Sequence, residues 1–90
     1  MQSLVLLENR ERALPLNREK IDSLAVIGPL ADDGYEQLGT WIFDGDHELS
    51  VTPLSAIRDL LGDETRVDHV RALKTSRSRT TEGFAAAVEA

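Results

Sequence analysis

The apolar run SLAVIG, residues 23–28, is the feature that most constrains the fold of this 90-residue chain. The run has the length of a strand, and it is bounded by Asp22 on one side and by Gly28-Pro29 on the other. A short apolar run between turn residues is typical of a strand that is buried on both faces of a parallel sheet. The sequence therefore predicts an α/β fold.

Three further segments carry the pattern of regular structure. Residues 51–64 predict a helix, because Thr52 is a good N-cap, Pro53 stands at the first helical position and a glycine follows the last turn. Residues 65–73 alternate apolar and polar side chains and predict a second strand. Residues 80–90 predict a helix that opens with threonine caps.

The rest of the chain predicts less regular structure. Residues 3–12 resemble the last turns of a helix, and residues 30–51 predict a long structured loop with room for a short strand. The resulting order is βαβα with no strand after the last helix. We therefore expect an incomplete βαβα portion of a larger domain with a mainly parallel sheet. Apolar strand surface left open in such a piece predicts self-association.

Composition excludes several classes of function. The formal net charge is −6 and the basic residues form no block beyond the four-residue island SRSR, which argues against a nucleic-acid partner and against an anionic membrane surface. The absence of cysteine excludes disulfides and thiolate metal sites. No apolar run approaches the roughly 18 residues of a membrane span, and the N-terminus lacks the pattern of a signal peptide. With no targeting segment expected here, the compartment stays open between periplasmic, secreted and cytoplasmic.

The glycine-rich segment after the first strand does not match a phosphate-binding loop. Gly28 and Gly34 are separated by five residues where the P-loop has four, and Tyr35 stands in place of the lysine. Two aspartates between these glycines would also repel a phosphate. We expect no nucleotide cofactor.

Metal sites are equally unsupported by the sequence. Residues 44–48 (DGDHE) begin like a calcium loop, but Leu49 occupies the position that requires glycine. His47 and His69 lie 22 residues apart and lack the further ligands that zinc requires. No metal site is predicted, and no other cofactor.

Trp41 remains as a candidate ligand-binding residue once phosphate and metal sites are excluded. A single tryptophan in a polar loop on the carboxyl side of a strand is either a plug over the local core or an aromatic platform for a ligand. Sugar rings stack on such platforms through their apolar C–H faces, while neighbouring aspartates bind the hydroxyl groups. Asp44 and Asp46 follow Trp41 in the same loop and are weaker candidates.

The chain contains, in this order, the motifs SLVLLEN with LPLN, AVIGPLADD, LGTWIFDGD, SVTPLSAI and TTEGFAAAVEA, which together cover nearly its whole length. This series resembles glycoside hydrolase family 3, the family of β-glucosidases and β-xylosidases. Proteins of this family pair a (β/α)8-like barrel with a second, α/β sandwich domain. The resemblance implies that residues 1–20 are a helix end and linker, and that residues 21–90 begin the sandwich domain.

The resemblance also implies a reaction and its participants. The family hydrolyses O-glycosidic bonds of β-glucosides and related oligosaccharides with retention of configuration, which requires two carboxyl groups about 5–5.5 Å apart. Its nucleophile, an aspartate, belongs to the barrel, and its acid/base glutamate is expected beyond Ala90. No catalytic residue is therefore predicted in this chain, which we expect to be inactive alone and to need the barrel and the rest of the sandwich as partners.

Binding residues can be carried over more directly. The resemblance implies that Trp41 walls the aglycone side of the carbohydrate site, with Asp44 and Asp46 beside it. A different function also remains open, namely a free-standing acidic α/β binding or interaction module without catalysis.

Overall fold

The computed structural model describes residues 4–90. Five regular elements follow one another in the order β1, α1, α2, β2 and α3, and three short 3-10 turns lie between or before them. The elements are β1 Ser23–Ile27, α1 Gly34–Leu38, α2 Pro53–Leu61, β2 Arg66–Val70 and α3 Phe84–Glu89, and the 3-10 turns are Arg10–Arg12, Arg18–Lys20 and His47–Leu49.

The two strands form a parallel pair. Ser23 lies opposite Arg66 at one end of the register, and Ile27 lies opposite Val70 at the other. Beyond the last pair, the backbone N–H of Gly28 donates to the carbonyl oxygen of Val70 at 3.0 Å. Helices that alternate with parallel strands confirm the predicted α/β class.

Helix α2 forms where the sequence predicts it, and it carries the core of the described structure. Thr52 caps its first turn, Pro53 occupies the first position, and Gly62 ends it at a φ of 69°. Leu54 and Leu61, on one face of the helix, are 1% and 6% exposed. The backbone N–H of Leu54 donates to the carbonyl oxygen of Ala31 at 2.9 Å, so the start of α2 is tied to the loop that follows β1.

The cap of α2 is shared with that loop. The Thr52 hydroxyl accepts the backbone N–H of Ser55 at 3.2 Å and donates to the Asp32 carboxylate at 2.8 Å. Thr52 is itself buried, at 7% exposure. A hydrogen bond to a charged group contributes more than a neutral one.

Replacing Thr52 by valine is therefore expected to lower the free energy of unfolding by about 2 kcal/mol, the sum of a lost helix cap and a lost hydrogen bond to a carboxylate. Thr52→Ser keeps the hydroxyl and is the matched control, with an expected loss below about 1 kcal/mol. Urea denaturation followed by circular dichroism measures both. Equal losses in the two variants would show that the hydroxyl does not hold the loop.

The expected helix end at residues 3–12 is wrong over the part that the structure describes. Residues 4–9 have no regular structure, and a 3-10 turn follows at Arg10–Arg12. The side chain of Asn9 accepts the backbone N–H of Leu14 at 2.9 Å and donates to its carbonyl oxygen at 2.7 Å. Because this side chain satisfies backbone groups locally, it favours a closed loop over a continuing helix.

Residues 30–51 also differ from the expectation. They contain the five-residue helix α1 and the turn His47–Leu49, and no strand is present there. The carboxylate of Asp33 accepts the backbone N–H of Glu36 at 3.0 Å and thereby caps α1.

Helix α3 begins later than predicted. Its N-cap is Gly83, which has no side chain to bond the first turn, so the predicted threonine caps are wrong. The strand positions are right, but β1 alternates between half-buried and exposed residues, whereas burial on both faces was expected. Ile27 at its end is half exposed.

The described chain exposes an unusual amount of apolar surface. Its accessible surface is 8130 Å², against about 5,200 Å² for a folded monomer of 9.9 kDa. Its radius of gyration is 15.2 Å, against about 12 Å for a compact domain of this length. The large apolar side chains that are more than three-quarters exposed include Leu4, Val5, Leu7, Trp41, Phe43, Leu49 and Val88. This surface supports the expectation of self-association, which stays a prediction.

No helix among residues 4–90 has both the length and the apolar character needed to cross a membrane.

Candidate functional site

The loop between α1 and the turn His47–Leu49 presents two aromatic side chains to solvent. Trp41 is 88% exposed and Phe43 is 93% exposed, while Ile42 between them is half-buried. Trp41 therefore does not plug the core of the described residues. Its role as an aromatic platform for a ligand stays a prediction.

Packing beneath the loop explains why these rings point outward. A Cβ placed on Gly45 would lie 3.1 Å from Cδ1 of Leu38 and 3.5 Å from Cδ1 of Ile42, so both apolar side chains fold in against that glycine. The loop closes over Ile42 and leaves its two neighbours, Trp41 and Phe43, on the outside.

Helix α1 fastens this loop to α2. The side-chain amide of Gln37 donates to the carbonyl oxygen of Val51 at 3.1 Å, one residue before the cap of α2. A Cβ on Gly34 would lie 2.7 Å from the carbonyl oxygen of His47, so the start of α1 packs directly on the following turn. The rings of Tyr35 and His47 meet edge to face at 6.3 Å.

The two aspartates of the loop have different surroundings. The Asp46 carboxylate accepts the backbone N–H of Glu48 at 2.9 Å and caps the turn His47–Leu49. Asp44 is exposed. Asp46 thus has a structural contact of its own, and sugar binding by Trp41, Asp44 and Asp46 stays a prediction.

The carboxyl ends of both strands form a second feature of this region. One cavity of about 390 Å³ lies there between residues 71–74, Thr80 and residues 82–83. Another, of about 460 Å³, lies between residues 27–31, Pro53, Leu73 and Ser76. In open α/β sheets, ligands bind at this edge. The sequence indicates this edge only through the glycine loop. It predicts a structural loop rather than an anion-binding one at residues 74–79 (KTSRSR), and it does not place residues 71–83 at the edge.

Within residues 4–90, no group of three or more histidine, aspartate or glutamate side chains is placed to hold a metal ion.

Comparison with known proteins decides the family. The model of the glycosyl hydrolase family 3 C-terminal domain matches residues 4–90. The chain belongs to glycosyl hydrolase family 3. This confirms the resemblance seen in the motifs.

Three relatives place the chain within family 3. A periplasmic beta-glucosidase of Salmonella typhimurium is 35% identical over 83 residues, which cover 92% of this chain and 11% of the relative. A beta-xylosidase of Formosa agariphila is 30% identical over 93 aligned residues, covering 99% of this chain and 13% of the relative. A probable beta-D-xylosidase 6 of Arabidopsis thaliana is 42% identical over 40 residues, covering 44% and 5%. The chain thus spans about a tenth of the length of the first two relatives.

The two glutamates near the end of this family 3 chain lie outside the Trp41 loop. Glu82 lies in the segment before α3 and Glu89 is the last residue of α3, and both are exposed. Their surroundings give no reason to assign them the acid/base role.

Proposed function

We propose that the chain is part of a retaining glycoside hydrolase that hydrolyses O-glycosidic bonds of β-glucosides or related oligosaccharides. The family match over residues 4–90 carries this proposal, and the similarity to a protein named as a periplasmic beta-glucosidase supports the choice of β-glucosides. Residues 21–90 then start the α/β sandwich domain, and residues 1–20 lead into it from the barrel.

The resemblance to family 3 implies that the two reacting carboxyl groups lie in other parts of the protein. A nucleophilic carboxylate forms a glycosyl-enzyme, and a second carboxyl group about 5–5.5 Å away first protonates the leaving oxygen and then activates water. We infer that the nucleophile lies on the barrel and that the acid/base lies beyond Ala90. The exposed positions of Glu82 and Glu89 agree with this inference.

The part played by these 90 residues is to shape the aglycone side of the cleft. The exposed ring of Trp41 offers a flat apolar surface on which the C–H face of a sugar or an aryl group can stack, as aromatic rings do with other flat apolar groups. Asp44 lies in the same loop and is exposed to solvent. Its carboxylate can therefore accept hydrogen bonds from sugar hydroxyl groups.

A comparison of the isolated chain with the full-length enzyme tests the proposal. The purified 90-residue chain is expected to release no 4-nitrophenol from 4-nitrophenyl β-glucoside above the buffer rate, because it lacks both carboxyl groups. The full-length protein is expected to hydrolyse the same substrate, and NMR of the first product should show the β anomer. Hydrolysis by the chain alone would overturn the assignment of the catalytic groups. Release of the α anomer, or no glycosidase activity in the full-length protein, would overturn the proposed function.

A further inference from the structure

Charge is strongly segregated along the chain. Four of its ten lysines and arginines lie within residues 71–79, and no aspartate or glutamate occurs between Asp68 and Glu82. Residues 21–57, in contrast, carry seven carboxylates and no lysine or arginine. A local group of cations in an otherwise acidic protein creates a positive potential that attracts anions. We call residues 71–79 the basic loop.

Hydrogen bonds within the basic loop give it a defined shape. The backbone N–H of Thr75 donates to the Ser78 hydroxyl at 3.0 Å, and the backbone N–H of Ser78 donates to the carbonyl oxygen of Thr75 at 3.1 Å. At its start, Ala72 adopts a φ of 59° and packs against the backbone of Gly83. These bonds close a turn over residues 75–78 that contains Arg77, with Lys74 and Arg79 on either side of it.

Among residues 4–90, none of these cations forms an ion pair, although Asp33, Glu36 and Glu82 line the same cavities as Arg71 and Lys74. The ion pairs found among residues 4–90 join Arg10 to Glu8 and Arg66 to Asp68. Each of the four cations of the basic loop is exposed, namely Arg71, Lys74, Arg77 and Arg79. An incoming anion would meet charged donors whose hydrogen-bonding capacity is open, and charge-assisted bonds of this kind are the strong ones.

The cavities beside the basic loop combine charged and apolar lining. The cavity of about 390 Å³ is lined by Arg71, Lys74, Thr80 and Glu82, together with Ala72, Leu73 and Gly83. This volume lies within the range of about 300–1,000 Å³ that is usual for small-molecule sites. Cations that bind a carboxylate, together with hydroxyl and carboxylate groups that bind sugar hydroxyls, match the groups of a uronic acid.

The basic loop also adjoins the start of helix α1. A smaller cavity, of about 60 Å³, is lined by Arg71 and Lys74 of the loop and by Asp33 and Glu36 of the α1 region. Helix α1 is followed in the chain by the Trp41 loop.

We propose that the basic loop binds the carboxylate of a uronic-acid unit, so that acidic oligosaccharides are preferred substrates of the full-length enzyme. This rests on the proposed function, which supplies the glycosidase. A carboxylate from an aspartate or glutamate side chain elsewhere in the protein is the competing occupant. The open space beside Arg71 and Lys74 is large enough to hold a whole sugar unit.

The test uses the full-length enzyme and two β-linked glucosyl disaccharides, one with glucose and one with glucuronate as the aglycone. The wild type is expected to show a kcat/KM about five-fold higher for the glucuronate form, the upper end of what exposed ion pairs supply. The ratio should fall toward one in the double variant Lys74→Gln/Arg77→Gln and in high salt, which screens the attraction. The control variant Lys20→Gln/Arg58→Gln removes two exposed cations outside the loop and should keep the ratio.

The possible results separate the two proposals. Equal kcat/KM for both disaccharides in the wild type, or an unchanged ratio in the loop variant, overturns the uronate site while hydrolysis itself supports the proposed function. A loop variant with a lowered thermal midpoint and equally reduced activity on both disaccharides shows a protein carboxylate as the occupant and also overturns the site. If neither disaccharide is hydrolysed, calorimetric titration of the wild type and of the loop variant with glucuronate and with glucose tests the uronate site. Only glucuronate should bind, and it should bind only to the wild type.

Discussion

Replacing Gly83 by alanine is expected to lower the free energy of unfolding by about 3 kcal/mol, at the upper end of the usual cost of overpacking. A Cβ at this position would collide with the carbonyl oxygen of Ala72 and would lie 2.7 Å from its carbonyl carbon. Both atoms belong to the backbone, so relief requires the loop after β2 and the start of α3 to separate. The φ of Gly83 is −89°, which alanine adopts freely, and the expected loss is therefore steric.

Gly45→Ala is the matched control for Gly83→Ala. The atoms nearest to its added Cβ are the ends of the Leu38 and Ile42 side chains, which can rotate away. We expect a loss of less than about 1 kcal/mol there. Denaturant unfolding of the 90-residue chain and the thermal midpoint of the full-length enzyme provide two independent measurements. Similar losses for both glycines would show that the contact between Ala72 and Gly83 is not the rigid one described.

Replacing Trp41 by alanine in the full-length enzyme is expected to lower kcat/KM by about 5- to 30-fold, the effect of losing 1–2 kcal/mol of stacking. The loss should appear with sugar or aryl aglycones and be small with methyl β-glucoside, whose aglycone offers no flat face. Because the side chain is 88% exposed in the described chain, stability should change little. Steady-state kinetics over a series of aglycones measures the effect.

Two further variants sharpen the experiment on Trp41. Trp41→Phe keeps an aromatic face and should recover most of the activity, whereas Phe43→Ala removes the neighbouring exposed ring. An unchanged kcat/KM for Trp41→Ala across all aglycones would assign the side chain to packing against another part of the protein. A fall in thermal midpoint with a uniform loss for every aglycone would lead to the same conclusion.

The elements that could be predicted are those with local signals. Helix α2 carries a threonine cap, a first-turn proline and a terminal glycine, so its bounds follow from neighbouring residues alone. Strands β1 and β2 carry short apolar or alternating runs, and their parallel pairing follows from the helix between them.

Helix α1 could not be predicted in the same way. It is only five residues long, and what stabilises it is non-local, namely the bond from Gln37 to Val51 and the close packing of Gly34 on His47. An isolated helix of this length is unstable in water, so its formation depends on those tertiary contacts. The helix end predicted near residue 9 is wrong for a local reason. Apolar residues indicate a helix there, but the hydrogen bonds between the Asn9 side chain and the backbone of Leu14 stabilise a loop instead.

The candidate site was accessible from the sequence only in part. Trp41, Asp44 and Asp46 were singled out because they share one loop and because that loop resembles the family motif. The cavity beside the basic loop needs Ala72 and Gly83 in contact, and a pair eleven residues apart leaves no signal in either segment alone. Reading residues 71–79 as a charged segment was possible, but placing them beside α1 was not.

The double use of the Thr52 hydroxyl has a consequence for how this region can vary. Since one oxygen caps α2 and also holds Asp32, the first turn of the helix and the chain after β1 cannot be adjusted separately. Exposed positions of α2 are free to change without moving the Trp41 loop, whereas any residue without a hydroxyl at position 52 alters both at once. This surface therefore tolerates substitution unevenly. The residue at position 52 also determines the placement of the aromatic ring of Trp41, eleven residues earlier in the chain.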